Sequence, residues 1–280
     1  MVDFWQKSRT IYPSVFRFLV GIVFLLDLIF TLSNSFVFNT DFADYPNMGS
    51  TIEFLRENYI SFYLIYGLVL VLFILGIGKK IVSAAVFIFH FLSIMIVPSL
   101  TNWGDTIMKF TLLYFIFVDS FKYLSVNPTH SDSRNLKLYI SKLAVWSIIL
   151  NLFLVYLSNS VYKLFDVDWQ NGYATFFSFS QFLGVKSSFF YPIISNEFLS
   201  KAISYIIVAQ QMTFLPLIIW KRTRYFAILL GVLIHLIMFF QFGLWKFETI
   251  MILLYGFLLN DEEWKNLIPK NLKNKLFQSS

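Results

Sequence analysis

Long apolar runs separated by short polar segments dominate the chain. Eight of them approach the roughly 20 residues that an α-helix needs to cross the hydrocarbon core of a bilayer. The last run is the weakest, because it contains Glu248 and ends in acidic residues, although Trp245 and Trp264 suit its two interfaces. The pattern predicts an all-α, polytopic membrane bundle of about eight helices. These cover approximately residues 15–33, 60–78, 81–98, 106–123, 143–162, 202–220, 225–242 and 245–264.

Composition narrows the chemistry that such a bundle can perform. The 280 residues are 58% hydrophobic and only 14% charged, with a mean hydropathy of +0.68, whereas soluble domains average about 25% charged residues. The sequence contains no cysteine, which excludes a thiolate nucleophile, a disulfide scaffold and a cysteine-ligated zinc. Any reaction must therefore use lysine, histidine, carboxylates or a bound cofactor, and we predict no metal.

The distribution of basic residues predicts the orientation of the chain. With the N-terminus inside, 15 of the 22 Lys and Arg residues fall in inner segments and six in outer segments. Because Lys and Arg accumulate on cytoplasmic loops, this asymmetry predicts that both termini are cytoplasmic. The net charge of +6 is then a topological signal, and nucleic acid is not expected as a partner. We predict one transmembrane domain over residues 1–264 and a basic cytoplasmic tail over 265–280.

Two of the predicted outer segments are long, covering residues 34–59 and 163–201. The second contains an aromatic stretch over 173–199 that is too apolar for a water-exposed loop and too interrupted to span the membrane. We expect it to lie in the interface or to re-enter the bundle, where irregular backbone is tolerated against protein or a water-filled cavity.

Several ionisable residues fall within the predicted spans, where their cost makes each one a functional hypothesis. Asp27 and His90 are also compatible with structural hydrogen bonding between helices. The same holds for His235, ten residues into the seventh run. We expect Arg17 to be an anchor whose charged end reaches the interface.

Lys163 is the most unusual of these residues, because it lies at the outer end of the fifth run, where positive charge is disfavoured. One interpretation is a lysine that pairs with Asp166 or Asp168. The other is a partly desolvated amine that acts as a base.

The segment around Lys163 resembles a known signature. It reads Val155-Tyr156-Leu157-Ser158, followed by Lys163-Leu164-Phe165-Asp166-Val167-Asp168-Trp169-Gln170-Asn171-Gly172. Weaker matches occur in the same order along the chain: Arg17 to Gly21 with Asp27, Asn102-Trp103-Gly104-Asp105, Gly231 to His235, and Phe242 to Phe247. Together they resemble the vitamin K-dependent gamma-carboxylase and horizontally transferred transmembrane (HTTM) superfamily, most closely its compact bacterial SdpB-like branch.

The resemblance implies an enzyme that uses a quinone or hydroquinone. It gives Lys163 the role of the base and His235 a supporting role. We predict that Tyr156, Asn159 and Trp169 line the cofactor cavity, and that Asp27, His90 and Asp105 support the site from further away. The SdpB-like branch implies maturation of an exported peptide with a small companion membrane protein, at the extracytoplasmic face of the bacterial inner membrane.

Two other classes of function remain open at this stage. A non-catalytic scaffold or immunity-type protein would bind a partner through the aromatic stretch 173–199. A lipid or small-molecule transporter is less favoured, because the sequence contains no visible inverted repeat and no symmetric pair of broken spans.

Overall fold

The computed structural model describes residues 4, 6–34, 38, 49–128, 135–182 and 191–267. Within these ranges the chain is helical and contains no strand, which confirms the predicted all-α class. The helices are α1 (Tyr12–Ser33), α2 (Ser50–Glu57), α3 (Tyr59–Leu75), α4 (Lys79–Ile96), α5 (Trp103–Phe115), α6 (Asn135–Phe165), α7 (Val167–Gln170), α8 (Ala174–Phe182), α9 (Tyr191–Ile194), α10 (Glu197–Ile219), α11 (Lys221–Phe242), α12 (Trp245–Tyr255) and α13 (Asp261–Leu267). Short 3₁₀ turns occupy Pro98–Leu100 and Gly256–Leu258.

Among the described residues, five helices are long and apolar enough to cross a membrane. They correspond to α1, α4, α6, α10 and α11. A sixth candidate is the pair α2 and α3, whose axes differ by 85° at Asn58. The structure therefore supports a helical membrane protein, and the count of eight spans stays a prediction.

Two of the predicted spans contain shorter helices than the apolar pattern suggested. In place of 106–123, α5 has 13 residues, and in place of 245–264, α12 has 11. At 1.5 Å per residue these helices rise about 20 and 16 Å, which is less than the roughly 30 Å of a hydrocarbon core.

The segments predicted to be outside consist largely of short helices where the structure describes them. Residues 163–201 contain the last turn of α6, helices α7 to α9 and the first turn of α10. Residues 35–37 and 39–48 of the first outer segment lie outside the described residues. So do 183–190 of the second, with Phe189 and Phe190, and 268–280 of the predicted basic tail.

The chain divides into two compact units. The first unit comprises Met1–Gln6 and Leu150–Ile252, and the second comprises Lys7–Ile149 and Leu253–Ser280. The division falls within α6 and within α12.

The second unit contains a buried arginine at its centre. The side chain of Arg17 has no exposed surface, and Phe121 lies against its guanidinium at 5.2 Å. Its guanidinium donates to the backbone carbonyls of Phe73, Ile74, Ser120, Tyr123 and Leu124. The expectation that Arg17 reaches the interface is therefore wrong, because the carbonyls that follow α5 and those at the end of α3 satisfy it internally.

Hydrogen bonds to Asp261 form a clasp that joins the segment before α1 to the start of α13. The carboxylate of Asp261 accepts from the backbone N–H groups of Thr10 and Ile11 at 2.7 and 2.9 Å, and from the hydroxyl of Ser8 at 2.7 Å. Since α1 has no capping side chain of its own, Asp261 satisfies donors that precede the first turn of that helix.

Candidate active site

The turn that follows α6 determines the surroundings of Lys163. The carboxylate of Asp166 accepts from the backbone N–H groups of Asp168 and Trp169 at 3.0 and 3.2 Å and so caps α7. This turn carries Trp169 back over the end of α6, where its ring centroid lies 4.8 Å from Lys163 Nζ. The half-buried lysine also donates to Gln211 Oε1 on α10 at 2.8 Å.

The partners of Lys163 are therefore an amide oxygen and an aromatic face. Asp166 was one of its two predicted ionic partners, but its carboxylate is used as a helix cap instead. Among the described residues, no ion pair joins Lys163 to a carboxylate. The interpretation of Lys163 as half of a surface ion pair is therefore not supported by this arrangement.

A buried chain of three polar side chains lies in the same unit. Tyr156 Oη is 2.8 Å from His235 Nε2, and His235 Nδ1 is hydrogen-bonded to Glu248 Oε2. The exposed fractions of the three residues are 5%, 6% and 0%, so none of them exchanges freely with water.

Local helix geometry brings these three residues together. Gly243 ends α11 with a φ of +66°, a left-handed conformation that glycine adopts without steric cost, and the chain turns directly into α12. His235 and Glu248 therefore lie on the two arms of one helical hairpin. Tyr156 reaches this hairpin from α6, where its ring stacks on Phe214 of α10 at 4.2 Å.

Lys163 and Tyr156 occupy one face of α6. They are seven residues apart, which corresponds to two turns and about 10 Å along the helix axis. Their partners Gln211 and Phe214 lie within one turn of each other on α10. The α6–α10 pair therefore places the lysine on the same face of α6 as the tyrosine of the Tyr156–His235–Glu248 chain.

Asn159 makes its described contact within its own helix. It is exposed, and its side-chain amide donates to the carbonyl of Val155 in its own helix at 2.9 Å. The described contacts do not place it beside Lys163, and its place in a cofactor cavity, like that of Trp169, stays a prediction.

His90 and Asp105 lie in the second unit and pair with each other. His90 Nε2 is 3.4 Å from the backbone oxygen and 3.9 Å from a carboxylate oxygen of Asp105, and the imidazole stacks on Phe24 at 4.6 Å. The other carboxylate oxygen of Asp105 accepts from the N–H of Asn102 at 2.8 Å in the capping box that starts α5. Both residues therefore have a clear structural role.

Asp27 is half-buried on α1, in the same unit as His90 and Asp105. The three predicted supporting residues thus belong to the second unit, and their link to Lys163 stays a prediction.

Sequence reasoning missed two members of the site, Glu248 and Gln211. In the apolar pattern Glu248 only weakens the last run, although an acid within an apolar run is itself a signal of a functional position. Nothing in the spacing of Gln211 indicates contact with α6.

Comparison of the chain with protein-family models, curated proteins and solved structures finds no match. In the described part of the chain, no group of three or more His, Asp or Glu side chains is arranged to hold a metal ion.

Proposed function

We propose that this protein is an integral membrane enzyme that removes a proton from a membrane-soluble hydroquinone. Lys163 is the base, and His235 supports the reaction through Tyr156. One observation carries the proposal: the Lys163 amine has no carboxylate partner among the described residues and lies two turns from the buried Tyr156–His235–Glu248 chain.

The partners of Lys163 suit the role of a base. A paired carboxylate would hold the lysine in its charged form, whereas the amide of Gln211 and the indole of Trp169 position it without a full opposite charge. In the proton transfer the hydroquinone O–H bond breaks, the electron pair stays on the phenolate oxygen, and the proton binds Nζ. A positioned general base of this kind contributes about 10²–10⁴-fold to a rate.

The surroundings favour a flat, lipid-soluble substrate. The indole of Trp169 is half-buried and offers an aromatic face beside the amine of Lys163. Aromatic rings pack by offset stacking or edge-to-face contact, which suits a planar head group that enters from the bilayer.

The finer details of this proposal follow the sequence signature and the charge distribution. We propose about eight membrane helices in the bacterial inner membrane, with both termini cytoplasmic and Lys163 near the extracytoplasmic face. In this proposal the hydroquinone reaction drives modification or maturation of an exported peptide, with a small companion membrane protein as a partner.

The test uses purified protein in lipid nanodiscs with tetramethylhydroquinone under air. The phenolate transfers two electrons to dioxygen, which gives the quinone and hydrogen peroxide, so oxygen uptake and quinone absorbance report the reaction. We expect Lys163→Met to lower the enzyme-dependent rate about 100-fold or more. Lys201→Met is the matched control, since Lys201 pairs with Glu197 at 2.7 Å on the surface of the same unit.

Both variants are first compared with the wild-type protein by size-exclusion chromatography and tryptophan fluorescence, so that loss of folding is recognised. Equal oxygen uptake by the wild-type protein and Lys163→Met would overturn the role of Lys163. A wild-type protein that does not accelerate oxidation of the hydroquinone would overturn the proposed function.

A further inference from the structure

The two carboxylate oxygens of Glu248, at the end of the Tyr156–His235–Glu248 chain, differ in their contacts. Glu248 has no exposed surface, and its Oε2 is bonded to His235 Nδ1. Its other carboxylate oxygen, Oε1, has no hydrogen-bond partner among the described residues.

This pattern differs from that of a carboxylate that only orients a histidine. An orienting carboxylate stays ionised, and buried ionised oxygens are normally satisfied by several donors. Glu248 has a single donor for two buried oxygens. Addition of a proton at Oε2 removes the negative charge that Oε1 shares without a donor, so the ionised carboxylate is suited to accept one.

We propose that Glu248 is a proton acceptor, reached from the substrate through Tyr156 and His235. This inference rests on the proposed function and adds a second proton acceptor to it. A hydroquinone loses two protons when it becomes a quinone, and the site then has one acceptor for each, Lys163 and Glu248.

The relay needs three hydrogen bonds and no oxidant of its own. A hydroxyl of the substrate gives its proton to Tyr156 Oη, while the original tyrosine proton passes to His235 Nε2. The proton on His235 Nδ1 passes to Glu248 Oε2. Tyrosine ends neutral, histidine ends as its other neutral tautomer, and the one proton that left the substrate resides on the glutamate.

The geometry of the chain fits the two transfers within it, from Tyr156 to His235 and from His235 to Glu248. The Tyr156–His235 separation of 2.8 Å is within ordinary hydrogen-bond distance, and both nitrogens of the imidazole are in use. The stacking of Tyr156 on Phe214 holds the phenol against the histidine, with ring planes 13° apart. Tyr156 is the end of the chain nearer to Lys163 along α6, so it is the catalytic residue of the relay, and Glu248 acts through it.

Two conservative variants interrupt the relay without removing side-chain volume. Tyr156→Phe keeps the ring that stacks on Phe214 but removes the hydroxyl, and Glu248→Gln keeps a hydrogen-bonding group that cannot accept the proton. We expect each to lower oxygen uptake with tetramethylhydroquinone at least 10-fold. The control is Tyr162→Phe, because Tyr162 lies on the same helix and is 69% exposed.

Infrared difference spectroscopy separates a proton acceptor from a structural group. Addition of tetramethylhydroquinone without oxygen should produce a carboxylic acid C=O band that shifts in heavy water. We expect the band in the wild-type protein, in Tyr162→Phe and in Lys163→Met, and its loss in Glu248→Gln and Tyr156→Phe.

The results distinguish this inference from the proposed function. If Lys163→Met is inactive but Tyr156→Phe reacts like the wild-type protein, the relay is wrong and the role of Lys163 survives. A band that persists in Glu248→Gln, or no band in an active wild-type protein, also overturns the relay. A wild-type protein that does not consume the hydroquinone overturns both proposals.

Discussion

Arg17 gives the sharpest test of how the second unit is stabilised. Methionine fills a volume similar to that of arginine with an apolar side chain. It removes every donor to the five carbonyls that the guanidinium binds. We therefore expect the loss to come from hydrogen bonding rather than from a cavity.

The magnitude follows from the number of buried acceptors left without donors. A hydrogen bond to a charged group contributes about 1.5–3 kcal/mol, and the bonds of one guanidinium are not additive. A buried acceptor that loses its donor costs about 1–3 kcal/mol. We expect Arg17→Met to lower the free energy of unfolding by that amount. Arg17→Lys should lower the free energy of unfolding less, because its ammonium group keeps the charge and some of the donors. Some loss should remain, because one ammonium group cannot reach all the acceptors.

The assay is reversible unfolding in mixed detergent micelles with increasing dodecyl sulfate, followed by tryptophan fluorescence. Arg222→Met is the control, because Arg222 is exposed and surface changes usually stay within about 0.5 kcal/mol. If Arg17→Met unfolded at the same detergent fraction as Arg222→Met, the guanidinium would not be the element that stabilises the carbonyls after α5, and the reasoning would fail.

Two further predictions concern the same unit. A Cβ at Gly256 would lie 1.9 Å from Tyr12 Cζ, so Gly256→Ala should lower the free energy of unfolding by about 1–3 kcal/mol. The control is Gly67→Ala, which should be neutral or stabilising, because the nearest atom to its added Cβ is 3.7 Å away. Equal thermal midpoints for these two variants would show that the Tyr12 ring moves aside at little cost and would contradict the prediction. Asp261→Ala should lower the free energy of unfolding by about 0.5–2 kcal/mol and speed amide hydrogen exchange at Thr10 and Ile11. The control Glu262→Ala removes an exposed ion pair and should have little effect on either. Unchanged exchange at both amides in Asp261→Ala would contradict the clasp.

The long helices could be predicted from the apolar pattern, but the end of α5 could not. Residues 116–123 are as apolar as the helix before them, yet the chain leaves the helix at Phe115. The carbonyls of Ser120 and Tyr123 obtain donors from Arg17, which lies more than 100 positions earlier in the sequence. A pattern of nearby residues contains no information about a donor at that separation.

The start of α13 could have been predicted. Asn260 accepts from the N–H of Glu263 at 3.1 Å, and the carboxylate of Glu263 accepts from the N–H of Asn260 at 2.9 Å. This is a capping box, whose signature of Asn followed three residues later by Glu is visible in the sequence. This signature predicts that the last span ends before residue 260.

The candidate site was predicted in part. Lys163, Trp169, Tyr156 and His235 could be selected because charge, depth and the sequence signature marked them. Glu248 and Gln211 could not be assigned partners, because their contacts depend on how the α11–α12 hairpin and α10 pack beside α6.

The α11–α12 hairpin also has a consequence for how the chain enters the bilayer. An acidic side chain costs about 2.5–3.5 kcal/mol at the centre of an inserting helix. His235 and Glu248 are separated by 13 residues on either side of one turn, so they can bond to each other as soon as both arms have left the ribosome. The hairpin can therefore provide a partner for its own acid as it forms, and during biogenesis Glu248 need not wait for Tyr156 to pack against it.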